Sequence, residues 1–157
     1  MPFENFRLGV SDMTTSAASD DAQMGRPRIF ILEDSPLIGL DLAATAEDLG
    51  CEVIGPFQNL SPEVTEVALG GGVDVAIIDL VLTNGHSDRV IRQFQGRGVP
   101  VIICSGLMNK AVEQEYPGAL VLGKPHSVDV LRSTLSQLLL PHAEPHSTPS
   151  IHSTGNR

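Results

Sequence analysis

Positive charge is scarce in this chain. Ten lysines and arginines stand against nineteen aspartates and glutamates, a formal net charge of −9. A nucleic-acid-binding surface needs a basic patch to neutralise phosphates, and this balance argues against one. The only lysines are Lys110 and Lys124, so a lysine in a special place is easy to notice. Cysteine is nearly absent too. Cys51 and Cys104 both lie in strand-like runs without metal-ligand spacing, and read as small core residues in a reducing compartment. No apolar stretch approaches the length of a membrane span. The N-terminus lacks a basic region followed by an apolar block, which argues against a signal peptide. The expectation is a cytoplasmic protein with no nucleic-acid and no membrane partner.

Apolar material is present in quantity: 41% of the 157 residues are hydrophobic and 18% charged, enough for the core of one domain. The stretch on which the rest turns runs from Val73 to Leu80. Five of the six residues before Asp79 are apolar, after a Gly70-Gly71-Gly72 breaker. A short, mostly β-branched run of this kind suits an interior strand of a parallel sheet, buried on both faces. Ligands of open α/β sheets sit at the carboxyl ends of the strands. An aspartate at that edge is therefore placed for chemistry; the plainer alternative is a turn cap.

Residues 1–26 are rich in Ser, Thr, Asp, Ala and Met without apolar periodicity and predict a disordered leader. Phe3, Phe6, Leu8 and Val10 within it offer at most a short docking segment. Arg28–Leu32 is a first apolar run, ending on Glu33-Asp34. Ser35-Pro36 then serves as N-cap and first-turn proline, with Leu37, Ile38, Leu42, Ala46 and Leu49 on one helical side before Gly50. A second strand over Cys51–Gly55 closes at Gly55-Pro56. Ser61-Pro62 repeats the capping device for a short helix with Val64, Val67 and Ala68. After Asp79, the Asn84-Gly85 pair marks a tight turn, and a helix from about Ser87 carries Val90, Ile91 and Phe94. Strand four ends on Ser105-Gly106, a weakly helical stretch fills 107–116, and strand five ends on Gly123-Lys124-Pro125. Ser127 caps a last helix with Val128, Leu131, Leu135 and Leu138 in register. Residues 141–157 form a Pro/Ser/His tail, expected to be disordered. Five alternations of strand and helix predict an α/β fold: a doubly wound, five-stranded parallel sheet over residues 27–140, with helices on both faces and a short or irregular fourth helix.

The strand ends collect Glu33 and Asp34, then Asp79, Ser105 and Lys124. In a doubly wound sheet these converge on one crevice. Carboxylates roughly 4 Å apart repel by about 4 kcal/mol per pair at an effective dielectric of 20, so the cluster persists if a divalent cation occupies it. Hard oxygen ligands with room for water suit Mg²⁺. A carboxylate, a hydroxyl and an ammonium around one open position suit phosphoryl transfer, with Asp79 as nucleophile, Lys124 as a point charge and Ser105 as donor.

In these motifs the chain resembles the receiver domain of two-component response regulators. The resemblance covers about residues 27–140 and rests on Glu33-Asp34, Asp79, Ser105 and Lys124-Pro125 in order. It implies a flavodoxin-like fold, Asp79 as phosphoacceptor, and Mg²⁺ held by Asp34, Asp79 and the Val81 carbonyl, with Glu33 acting through water. It also implies a cis Lys124–Pro125 bond. The implied partners are a sensor histidine kinase and a histidine phosphotransfer protein, with the chain a monomer or weak homodimer. Such a module is no enzyme beyond its own phosphorylation and dephosphorylation. Departures from the family are also present. Leu82-Thr83 stands where the family often has Met-Pro, and Val121 where it has a switch aromatic. Lys124-Pro125 is followed by His126 rather than Phe, and the interval from Ser105 to Lys124 is short. A haloacid-type phosphatase would want a second acid at Val81, and a P-loop or Rossmann binder would want glycines between a strand and a helix. The rival that remains is a receiver fold acting unphosphorylated as an interaction module. With no second domain expected after residue 140, a stand-alone receiver would bind a partner, shuttle phosphate or drain a kinase.

Overall fold

Arg28–Leu32 forms β1, and the chain then alternates α1 (Pro36–Asp48), β2 (Glu52–Phe57), α2 (Pro62–Leu69) and β3 (Val75–Asp79). A small hairpin of β4 (Val81–Leu82) and β5 (Gly85–His86) follows, then α3 (Asp88–Gly96), β6 (Val101–Ser105), α4 (Asn109–Glu115), β7 (Leu120–Gly123) and α5 (Val128–Leu139). The computed structural model describes residues 25–107 and 109–140. The expected tail, residues 1–24 of the expected leader, and its Phe3, Phe6, Leu8 and Val10 lie outside them.

The main sheet has the order β2-β1-β3-β6-β7, every neighbouring pair parallel. Strand order reverses between β1 and β3, which opens a crevice beyond their carboxyl ends. That is where Glu33, Asp34 and Asp79 stand. The inner strands β3 and β6 are buried at every position, because helices cover both faces and successive side chains point to opposite sides. Phe30, Ile78 and Ile103 pack with Val64, Ile91, Phe94 and Tyr116 on one face. Ile29, Ile31, Ile77 and Ile102 pack with Leu42, Ala46, Leu131 and Leu135 on the other.

The apolar stripes are narrower than their spacing predicts. Leu37 is 76% exposed, and Val67 and Val128 are also exposed; the inward positions of their helices are instead Leu42, Ala43 and Ala46 in α1, Val64 and Ala68 in α2, and Leu131 and Leu135 in α5. Strand two does not stop at Gly55-Pro56. It runs through to Phe57, with a register shift opposite Phe30 and Leu32. A sheet-edge strand tolerates proline, whose missing N–H costs no ladder bond there. Gly55–Pro56 and Lys124–Pro125 are both cis. Ser61 and Ser127 cap their helices through side-chain acceptors at 3.2 Å. Ser35 occupies its N-cap position without such a bond, its N–H instead donating to Glu33 Oε1 at 3.1 Å.

Candidate functional site

Lys124 enters the crevice from the end of β7 and makes two ion pairs, each 2.8 Å long, to Glu33 Oε2 and Asp79 Oδ2. The two carboxylates come from the ends of β1 and β3 and are almost fully buried, while the lysine side chain is 23% exposed. Asp34, half-buried, completes a trio in which one oxygen each from Glu33, Asp34 and Asp79 lies within 4.8 Å of the others. One ammonium cannot neutralise three carboxylates. The spacing and the all-oxygen donor set therefore fit a divalent cation such as Mg²⁺. Ser105, buried at the end of β6, accepts a bond from Leu107 N–H at 3.0 Å through its hydroxyl oxygen. Val81 lies two residues past Asp79, and its N–H donates to Asp79 Oδ1 at 3.3 Å.

Each charge is tuned by a different cause. Burial pushes the Glu33 carboxyl above its ordinary value, against bonds from Lys124 and the Ser35 N–H. The Thr83 hydroxyl holds Asp34 below its ordinary range. Burial pulls Lys124 down, but its bonds to Asp79 and Glu33 outweigh that and leave it raised. The lysine is thus a fixed cation across the physiological range. Cys104 is pushed up to about 12 by burial, which makes it the inert core thiol expected.

No family model matches the chain. Among curated proteins it is similar to the phyllosphere-induced regulator PhyR of Methylorubrum extorquens, 29% identical over 133 residues, which is 83% of this chain and 50% of the relative. The chain spans about half the length of that protein. Among solved structures it resembles a response regulator receiver protein from Sinorhizobium medicae, with a TM-score of 0.62 and 22% identity over 72% of this chain and 94% of that one. It also resembles a variant of the anti-anti-sigma factor PhyR from Bartonella quintana, with a TM-score of 0.61 and 24% identity over 74% of this chain and 50% of that one. The fold is that of a response-regulator receiver domain.

Within this receiver fold, several groups that sequence reasoning passed over surround the strand ends. Ser87, fully buried, donates its hydroxyl to the Asp79 carbonyl at 2.5 Å, and its N–H bonds the Leu80 carbonyl at 3.0 Å. A serine ahead of a helix signals only a cap; here it pins the backbone of the central aspartate. Thr83, noted in the sequence only as a departure, donates both its hydroxyl and its N–H to Asp34. Val121 is partly buried, and the buried aromatic of this region is Tyr116 instead. Its hydroxyl donates to Asp88 Oδ1 at 3.0 Å, and the Arg92 guanidinium lies 5.0 Å from its ring centre. That cluster ties the end of the short α4 to α3. His86 is exposed on β5, opposite Val81. No described helix is long and apolar enough to cross a membrane.

Proposed function

We propose that this chain accepts a phosphoryl group on Asp79 from a histidine kinase in a Mg²⁺-dependent reaction. The modified form then signals through a protein partner or passes the group to a histidine phosphotransfer protein. The observation that carries this reading is the Lys124 ammonium, 2.8 Å from both Asp79 and Glu33, at the mouth of a three-carboxylate crevice. An ordinary buried ion pair needs one acid; here one lysine pairs with two and a third carboxylate stands within 4.8 Å of both, an excess of negative charge that suits a cation and the anionic group it would help to hold.

The residues divide the work. Asp79 attacks phosphorus, forming a P–O bond as the P–N bond to the donor imidazole breaks. Its backbone is held by Ser87 and its Oδ1 by the Val81 N–H, which limits the orientations of the nucleophile. Glu33 retains Lys124 beside the reacting oxygen, so the ammonium meets the incoming phosphoryl oxygens as a preplaced charge. The Ser105 hydroxyl accepts from Leu107 and keeps its own proton free to donate to a phosphoryl oxygen. Glu33, Asp34, Asp79 and the Val81 carbonyl would hold the cation, which when bound supplies charge neutralisation. The substrate is the protein's own side chain, so the chain acts as a signalling module rather than a turnover enzyme.

Residues 27–140 are the receiver unit in this reading, cytoplasmic and monomeric or weakly dimeric. Its output runs through proteins rather than DNA, in keeping with the net charge of −9. Incubation with acetyl phosphate and Mg²⁺, read by intact mass, tests the proposal. The native protein should gain one acid-labile phosphoryl group and Asp79→Asn none. No adduct on the native protein would favour an unphosphorylated interaction module. Phosphotransfer profiling against histidine kinases then separates a shuttle, which returns phosphate to a partner histidine, from a sink, which hydrolyses it.

A further inference from the structure

Asp34 differs from the other two acids of the crevice. It is the least buried, it has no ion pair among the described residues, and its Oδ2 is gripped from 49 residues away by both donors of Thr83, the hydroxyl at 2.6 Å and the N–H at 3.0 Å. Thr83 sits in the turn between β4 and β5, where Val81 pairs with His86 and Leu82 with Gly85. The turn is itself anchored. Asn84 Nδ2 donates to the Leu60 carbonyl at 3.1 Å, and Leu60 N–H returns a bond to Asn84 Oδ1 at 3.4 Å. Below it, Leu82 is buried in the core and Ser87 fastens the far end to Asp79. The hairpin is thus a rigid arm that leaves the central strand, crosses the mouth of the crevice and closes on the neighbouring strand's acid.

We propose that Thr83 is a positioning residue for the cation site: its paired bonds hold the Asp34 carboxylate in one orientation and leave its other oxygen available to a cation. The inference rests on the metal-assisted reading above. A partly exposed aspartate at a strand end samples several rotamers where water reaches it, and ordering it is a cost that a cation would otherwise meet on binding. Two donors on one oxygen fill its lone pairs and leave Oδ1 as the free ligand atom. The second donor is a backbone N–H, so a proline at this position would lose half the grip as well as the hydroxyl. The same arm carries the Val81 carbonyl, so closing it on Asp34 sets two of the implied metal contacts at once. Groups that orient metal ligands typically change metal affinity by about tenfold to a hundredfold when removed. The lower end applies here, because the backbone bond survives substitution.

Calorimetric titration of Mg²⁺ into the unphosphorylated protein tests this without any turnover. Thr83→Val keeps the branched shape and removes the hydroxyl; it should bind Mg²⁺ about tenfold more weakly. Thr83→Ser restores the donor and should stay close to the native affinity. Circular dichroism and the metal-free melting temperature establish that both variants are folded at the titration temperature. Native-like Mg²⁺ affinity in Thr83→Val overturns the positioning role, as does a loss in Thr83→Ser equal to that in Thr83→Val, since the hydroxyl is then irrelevant. If the native protein itself binds no Mg²⁺, the metal-assisted reading fails and this inference with it. If the native protein binds Mg²⁺ and is phosphorylated on Asp79 while the valine variant binds equally well, only the inference fails.

Discussion

Replacing Lys124 by methionine keeps the aliphatic stem and removes the charge between Glu33 and Asp79. Each contact, at 2.8 Å, represents about 6 kcal/mol of attraction at an effective dielectric of 20. Most of that only offsets the desolvation of the two acids, and the partly exposed lysine is screened. A net loss of about 3 kcal/mol at neutral pH remains, the lower end for breaking a buried pair. In a domain of this size that is about 10 °C in melting temperature. The loss depends on pH in a definite direction. Burial already holds Glu33 above its ordinary 4.5, and without the ammonium it rises further. A carboxyl whose folded value is raised contributes stability that is complete below the unfolded value and is lost as pH rises through the folded one. The gap between native and variant should therefore be narrower near 4.5, where only the Asp79 contact still counts, and widen towards neutrality. In the native protein the raised Lys124 keeps its contribution below 10.5 and loses it above. Urea denaturation of both proteins at the two pH values is the assay. A deficit under about 1 kcal/mol at neutral pH, against the value expected for a broken buried pair, or one equal at both pH values, would refute the electrostatic account.

Three further outcomes follow from single contacts. Ser87→Ala leaves the Asp79 carbonyl without its buried donor and should cost about 1–3 kcal/mol in urea; an unchanged midpoint would show that the bond holds nothing in place. Tyr116 is the chain's single tyrosine, and burial together with its bond to Asp88 pushes its phenol up to about 12 from 10.0. Phenolate absorbance should accordingly stay low until close to 12, with the stability tied to the protonated form complete below 10.0 and lost as pH rises through about 12. A folded protein that ionises at its ordinary value would contradict this. At Gly55, with φ of 110°, an added Cβ would stand 2.7 Å from the Ile31 carbonyl oxygen and 2.8 Å from the Phe57 nitrogen. Gly55→Ala should cost about 2 kcal/mol or more, and a near-native melting curve would show that β2 can shift to make room.

Much of this protein was legible in one dimension. The apolar runs between Gly and Pro breakers announce the five parallel strands, most clearly β1, β3 and β6, because a strand covered on both faces has no polar side to interrupt the run. The residue closing each run then names Glu33, Asp34, Asp79, Ser105 and Lys124. The cis Lys124–Pro125 bond came from the family resemblance, since the residues alone favour trans. Spacing along a helix was less informative. It placed Leu37, Val67 and Val128 on apolar stripes, but rotation of each helix about its own axis, set by packing on the sheet, left them in solvent. The hairpin after Asp79, the pairing of Lys124 with Glu33 as well as Asp79, the Ser87 bond and the reach of Thr83 to Asp34 were decided only by the fold. The two bonds to the acids of β1 join segments 91 and 49 residues apart, and the hairpin and the Ser87 bond depend on the path of the loop that leaves the packed strand. A sequence states which groups stand at the strand tips; only the assembled sheet determines which of them touch.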